Sequence, residues 1–320
     1  MLLATALVVV VFAPVAVFAA TDLDAGSLAA VLGGLTGLIA GMIIGGRFAL
    51  GMTLLLVIAE FAAYLALPHA VAAGVVMAVV ALGYGLLARR GATSVGVTVP
   101  IAVLLTLTTP PGPIAHRADW VTALVVALGA LVGGLWGSSL GAFAGRRMHR
   151  PTLGGITTSA AWIYAGTLAI VTGIAAAVVV QHNGQKGGEW LILTIFIVVQ
   201  PTLHESFVKT LHRVGGTAGG FLIVAAISAL TDSTALLVVL GIAFAIAAVT
   251  VKLESQPYWL YVLMLTPAIV LAEGASSDVL ELDATRLEFT LIGAAIAVAI
   301  LGMFRLIANR YPSLLEAPQP

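Results

Sequence analysis

Glu205, Lys209 and Arg213 stand four residues apart in the segment LTIFIVVQPTLHESFVKTLHRVGGTAGG at 193–220. Residues at that spacing share a helix face, so on a helix they form one ridge with internal ion pairing. His204 and His212 flank it. A buried carboxylate with a raised pKa beside a histidine is what a proton-coupled carrier needs. A lysine and an arginine on the same ridge can hold a carboxylate, the arginine in bidentate fashion. The same residues also fit an ordinary cytoplasmic turn with its usual basic bias. His204-Glu205 is not followed by histidine at 208, so the spacing of a helical zinc site is not met. No metal or other cofactor is expected.

Just before the ridge comes Gln200-Pro201. With Trp190 taken as an anchor at the outer interface, Gln200 lies about 15 Å down, near the bilayer midplane. Pro201 lacks an amide hydrogen and clashes with the preceding turn, so the helix is expected to kink or stop there. The released carbonyls need polar partners, which places this point on a cavity where Gln200 can orient a substrate. Too few residues separate the two apolar runs for a long loop, so the turn is expected around 203–208. Thr266-Pro267 is read as a second break, and Val99-Pro100 occupies the matching place earlier in the chain. Tyr258 and Trp259 precede Pro267, either as an aromatic belt or as substrate contacts. Glu60 sits inside an apolar run, where an ionisable group must face the protein interior or be protonated. It is a second candidate for proton coupling.

Hydrophobic residues make up 61% of the 320-residue chain and charged residues 9%, with mean hydropathy +1.13. A soluble domain needs far more charged surface, so the lipid bilayer is the first expected partner. Each crossing takes about 20 apolar residues, and the apolar blocks give about twelve spans. They lie near 2–19, 27–45, 48–66, 70–88, 95–109, 121–143, 158–180, 190–203, 207–230, 234–251, 258–272 and 287–308. The fold expected is all-α and polytopic. Residues 1–20 end in VFAA, as a signal peptide does, but no basic residue precedes the apolar stretch, so a first membrane helix is expected. No phosphate-binding GxxxxGK[ST] loop is present, and nothing points to a nucleic acid.

With both termini placed in the cytoplasm, only Arg117, Lys186 and Arg286 of the 14 basic residues fall outside, the bias that sets orientation. Repetition organises the rest. VPIAVLLTLTTPPG from Val99 has a counterpart in TPAIVLAEGASSD from Thr266, and Arg47 corresponds to Arg213. The expectation is a tandem pair of six-span repeats, 1–150 and 151–320, related by a pseudo-twofold axis along the membrane normal. Gly33, Gly37 and Gly41 recur every fourth residue, as do Gly133, Gly137 and Gly141; Gly216 and Gly220 repeat the spacing. Such faces let helix backbones meet closely.

WLILTIFIVVQPTLHESFVKTLHRVGGTAGG resembles the signature of the fusaric acid resistance protein family, which includes the aromatic acid exporters. Trp190, Gln200, Pro201, Thr210, Arg213, Gly216, Thr217 and Gly220 carry the likeness, and PYWLYVLMLTP at 257–267 resembles the family's second recurrent stretch. The resemblance implies a bacterial inner-membrane efflux carrier for aromatic carboxylic acids or other small organic anions, driven by protons. It admits a periplasmic adaptor protein as partner. In that reading Lys209 and Arg213 attract the anion while Glu205, with His204 or His212, exchanges a proton. A passive anion channel using the same basic residues, and a non-transporting membrane scaffold, are the alternatives; an enzyme is not expected.

Overall fold

The computed structural model describes residues 13–110, 119–146, 154–182, 187–200, 203–231, 233–254, 256–273 and 279–310, and they are helical with no strands. Helix α1 covers 13–19. Then follow α2 (Ser27–Ile43), α3 (Gly46–Ala66), α4 (Ala70–Leu86), the short α5 (Thr93–Gly96), α6 (Thr98–Thr108), α7 (Trp120–Gly145) and α8 (Thr158–Gln181). After these come α9 (Gly188–Val198), α10 (Leu203–Ser228), α11 (Thr234–Leu253), α12 (Tyr258–Glu273) and α13 (Val279–Arg310). Seven helical segments are long and apolar enough to cross a membrane. Shorter apolar helices at Thr93–Thr108, Gly188–Val198, Thr234–Ala248 and Tyr258–Leu271 occupy four further expected spans, and most of the first expected span lies outside the described residues.

Two compact units divide the chain, Met1–Gln185 and Lys186–Pro320. In the first, α2 and α3 both pack on α7, α3 and α4 pack on α6, and α8 lies along α4. In the second, α9 and α10 both pack on α13, while α10 and α11 pack on α12. Val224, Leu237, Val270 and Leu271 form an apolar core among α10, α11 and α12. Because α8 packs on α4, the contact boundary falls one helix later than the repeat boundary expected between 150 and 151.

Local sequence explains the helix limits. Asp119 caps α7, accepting a hydrogen bond from the Val121 amide at 3.2 Å, and Thr157 caps α8 through the Ala160 amide at 3.3 Å. Gly45, with φ 131°, makes the tight link between α2 and α3 that a side chain would strain. Lipid replaces water around the outside, so α3, α4, α8 and α10 expose apolar residues such as Ile58, Val71, Ile170 and Leu222. With no hydrophobic drive between helices in lipid, close packing and polar contacts must hold them. The α2–α7 pair does this through its glycines: a Cβ on Gly41 would lie 2.9 Å from the Ala142 amide nitrogen, and one on Gly137 2.8 Å from the Gly34 carbonyl carbon. Thr36 Oγ1 donates to Leu32 O at 2.7 Å and meets the Thr98 hydroxyl at 2.8 Å, and Thr53 meets Ser138 at 3.2 Å.

Three local expectations change. The turn expected at 203–208 is instead helix, because α9 ends at Val198 and α10 already starts at Leu203; Pro201 itself lies outside the described residues. Helix α12 runs on through Pro267; the proline removes one backbone hydrogen bond, and helix continues on both sides. Pro100 sits in the first turn of α6, where a missing amide hydrogen costs nothing, and the interruption between α5 and α6 falls at Val97 instead.

Replacing Gly137 with leucine should lower the thermal stability of the detergent-purified protein by at least the 1–3 kcal/mol typical of overpacking. The control is Gly51→Leu, where a Cβ meets nothing within 4 Å; its melting temperature should stay within the scatter of surface substitutions, roughly ±0.5 kcal/mol. Equal melting temperatures for both variants would contradict the close α2–α7 contact.

Candidate anion-binding site

Two arginines are buried inside the second unit, Arg213 on α10 and Arg286 on α13, each about 1% exposed. Their meeting follows from the helix lengths. From the facing ends of the two helices, α9 extends back eight residues from Val198 to Trp190, and α10 extends forward ten residues from Leu203 to Arg213. At 1.5 Å per residue both points lie about 12–15 Å from those ends, so they share a level. There the Arg286 guanidinium carbon stands 3.7 Å from the centroid of the Trp190 ring, which is only 8% exposed. A desolvated cation over an indole face is a favourable pairing. Asp283, one turn before Arg286 on α13, is buried with its charge facing that arginine.

Arg213 is placed differently. The Tyr258 hydroxyl faces its guanidinium, though without a hydrogen bond of standard geometry. Its Nε and Nη2 have no hydrogen-bond partner among the described residues. Tyr261 lies beside Tyr258, ring centroids 6.1 Å apart at 33°, and both tyrosines lie within Coulombic reach of both arginines. Thr217, one turn beyond Arg213, is buried with an unpartnered hydroxyl. Small residues allow this convergence: Gly216 and Gly220 bring α10 against Trp259, Val262 and Thr266 of α12, and Gly293 brings α13 against Leu191 and Thr194 of α9. A buried guanidinium with donors left over is costly unless an acceptor arrives, and its fork matches a carboxylate.

The expected ridge on α10 is real, and its environment is graded. Glu205 is exposed, Lys209 half-buried and Arg213 buried. Lys209 Nζ donates to Gln200 Oε1 at 2.8 Å. The Gln200 side-chain amide donates to Ile197 O at 2.9 Å and Val199 O at 3.2 Å, while its backbone amide donates to Ser206 Oγ at 2.8 Å. Gln200 therefore closes the end of α9 and ties it to α10 and Lys209. His212 is half-buried, and the side chain of His204 lies outside the described residues. Trp259 is 43% exposed, with its carbonyl against Gly216, and Thr266 is buried, its hydroxyl donating to Val262 O at 3.1 Å.

Glu60 lies in the first unit. It is fully buried on α3, Thr106 of α6 donates to its Oε2, and its Oε1 has no partner among the described residues.

Sequence reading missed Arg286, Asp283 and the role of Trp190. Arg286 was assigned to an outer loop and Arg213 to an inner one, yet both lie around Tyr258, so a bilayer core of about 30 Å cannot separate them. Trp190 is a buried platform for a cation in place of an interface anchor. The available signal was the spacing of Asp283 and Arg286, three residues apart and one helical turn ahead of the apolar run.

Trp190→Leu should destabilise the purified protein by about 2 kcal/mol or more through loss of the desolvated cation–ring contact, whereas Trp190→Phe should retain part of it. Thermal unfolding in detergent measures both. Equal losses in the two variants would show that ring stacking contributes nothing.

Comparison with known proteins bears on the same region. The model of the fusaric acid resistance protein-like family matches residues 174–300, a stretch that holds Trp190, Arg213, Tyr258 and Arg286. No curated protein and no solved structure matches the chain. The chain is a membrane protein with several apolar helices, and its residues 174–300 are similar to the fusaric acid resistance protein-like family.

Proposed function

We propose that the protein exports small organic anions, aromatic carboxylic acids foremost, across a bacterial inner membrane in exchange for protons. The observation that carries this reading is Arg213, buried within an apolar helix with two guanidinium nitrogens unmatched. The match of residues 174–300 to a family named for resistance to an acid supports a transport role. The carboxylate of the substrate takes the open fork of Arg213 with help from the Tyr258 hydroxyl, and Tyr258 and Tyr261 offer ring faces for an aromatic body. Arg286 raises the positive potential while Asp283 and Trp190 hold it in place. Lys209, one turn earlier on the same ridge and less buried, receives the anion before Arg213.

For the proton, Glu60 is the better-supported group. Its carboxyl is buried with one oxygen unmatched, whereas Glu205 is exposed. An ionisable group inside a membrane helix is expensive and marks a transport role. A tandem six-span repeat is the proposed architecture. The packing of α2 and α3 on α7, of α2 on α3, and of α3 and α4 on α6 recurs in α9 and α10 on α13, α9 on α10, and α10 and α11 on α12, which supports it. The loop charge bias supports cytoplasmic termini.

Protein in liposomes with an internal pH-sensitive dye and an imposed proton gradient tests the proposal against a panel of aromatic and dicarboxylic acids. Wild-type protein should give substrate-dependent proton movement above protein-free liposomes. Arg213→Ala should reduce transport about 30-fold or more, the scale of losing a buried charge-assisted contact. Arg213→Lys should recover only part of it, because lysine lacks the fork. Unchanged transport in both variants would remove Arg213 from the path.

In the same assay Glu60→Gln, which keeps an acceptor for Thr106, should abolish proton movement while leaving anion binding within about threefold, less than 1 kcal/mol. Glu205→Gln should behave as wild type. The reverse pattern would move the proton site to α10.

A further inference from the structure

A second basic site lies in the first unit, away from the arginines of α10 and α13. Leu86, Leu87, Arg89, Arg90 and Trp162 line a cavity of about 320 Å³ where α4 ends and α8 begins. Both arginines are exposed, and no hydrogen bond or ion pair engages their side chains among the described residues. Their backbone is fixed. Leu87–Arg90 is a single 3-10 turn closed by Gly91 at φ +65°, where a Cβ would also press on Gly154. The Ile156 amide donates to Ala88 O at 3.1 Å, tying that turn to the segment that leads into α8. Helix packing holds the frame from the other side, since Gly85 meets Ala165 with no room for a side chain.

The surroundings are those of a membrane boundary. The apolar span of α4 runs into the arginines, and Trp162 lies at the same end on α8, 52% exposed. Tryptophan and arginine gather where hydrocarbon meets headgroups. Beyond Trp162, at intervals of four residues, come Gly166, Ile170, Ile174 and Val178; the last three are more than half exposed, and Gly166 has nothing within 4 Å of a Cβ. On α4 the row Val71, Val75 and Val79 is likewise exposed and leads by the same spacing to Leu87. Two cations at the mouth and apolar rows beneath match a phosphodiester with acyl chains attached. A soluble anion uses the first feature and gains nothing from the second.

We propose that this groove binds an anionic phospholipid, its phosphate held by Arg89 and Arg90 and its upper acyl chain lying along Trp162 and Gly166. Basic pockets between membrane helices are suited to such headgroups. The lipid joins α4 to α8 at the boundary and ties the stability of that pair to membrane composition.

Tryptophan quenching tests this in vesicles of phosphatidylcholine carrying a few per cent of brominated phosphatidylglycerol. Wild-type protein should be quenched several-fold more than the bulk lipid fraction predicts, and Trp162→Phe should remove the excess. Arg89→Gln with Arg90→Gln should bring the excess to bulk, while the matching double lysine variant should keep most of it. Melting temperatures in phosphatidylcholine alone, unchanged in both double variants, show that each is folded. Excess quenching that survives in the folded glutamine variant, or that millimolar inorganic phosphate abolishes, would overturn the proposal, the latter in favour of a soluble-anion site.

Discussion

A guanidinium buried in an apolar helix is the constraint around which the second unit is built. The charge of a buried guanidinium such as Arg213 must be answered by structure or by a ligand. The neighbouring charge, Arg286, has Trp190 beneath it and Asp283 facing it, although its Nε, Nη1 and Nη2, like Nε and Nη2 of Arg213, make no hydrogen bond of standard geometry among the described residues. Among the described residues Arg213 is flanked by the Tyr258 hydroxyl. The hydroxyls of Thr217 and Tyr258 beside it make no hydrogen bond of standard geometry among the described residues, whereas Thr36, Thr172, Thr210 and Thr266 each donate to the preceding turn.

Holding such a cluster inside a membrane requires helix backbones close enough to exclude lipid from the polar groups. Leucine and valine cannot supply that, because lipid tails are as apolar as they are. The chain uses glycine where helices touch: Gly216 and Gly220 seat α10 on α12, and Gly293 seats α13 on α9. In the first unit the same device is carried further, with α2 and α7 in contact along a whole glycine face. Short α9 is part of the design. By ending at Val198 with Gln200 capping its last carbonyls, it turns the chain back early and brings Arg213 level with Trp190.

Much of this was legible in the sequence, for identifiable reasons. Helices and their order follow from apolar runs, and the glycine faces follow from a four-residue period; both are local properties. The ridge through Glu205, Lys209 and Arg213 was legible for the same reason. What could not be read was the depth of each member, since depth depends on how far α9 runs before it reverses. With α10 starting at Leu203 instead of after 208, Arg213 changes from a surface charge into a buried one. Arg286 was lost differently: hydropathy begins its span at 287, whereas α13 starts at Val279, so a helix with polar first turns was taken for a loop. Pro267 was overread, because a proline inside a helix removes one hydrogen bond and neighbours can hold the rest.

Direct equilibrium binding to the purified, detergent-solubilised protein tests the central claim most simply. Titration calorimetry with a series of benzoate-type carboxylates, against the matching neutral amides, asks whether one unfilled guanidinium recognises an anion. The account predicts saturable binding near one site per chain for the carboxylates, none for the amides, and loss of binding in Arg213→Gln with the fold intact. Binding of carboxylate and amide alike, or full affinity without Arg213, would contradict it.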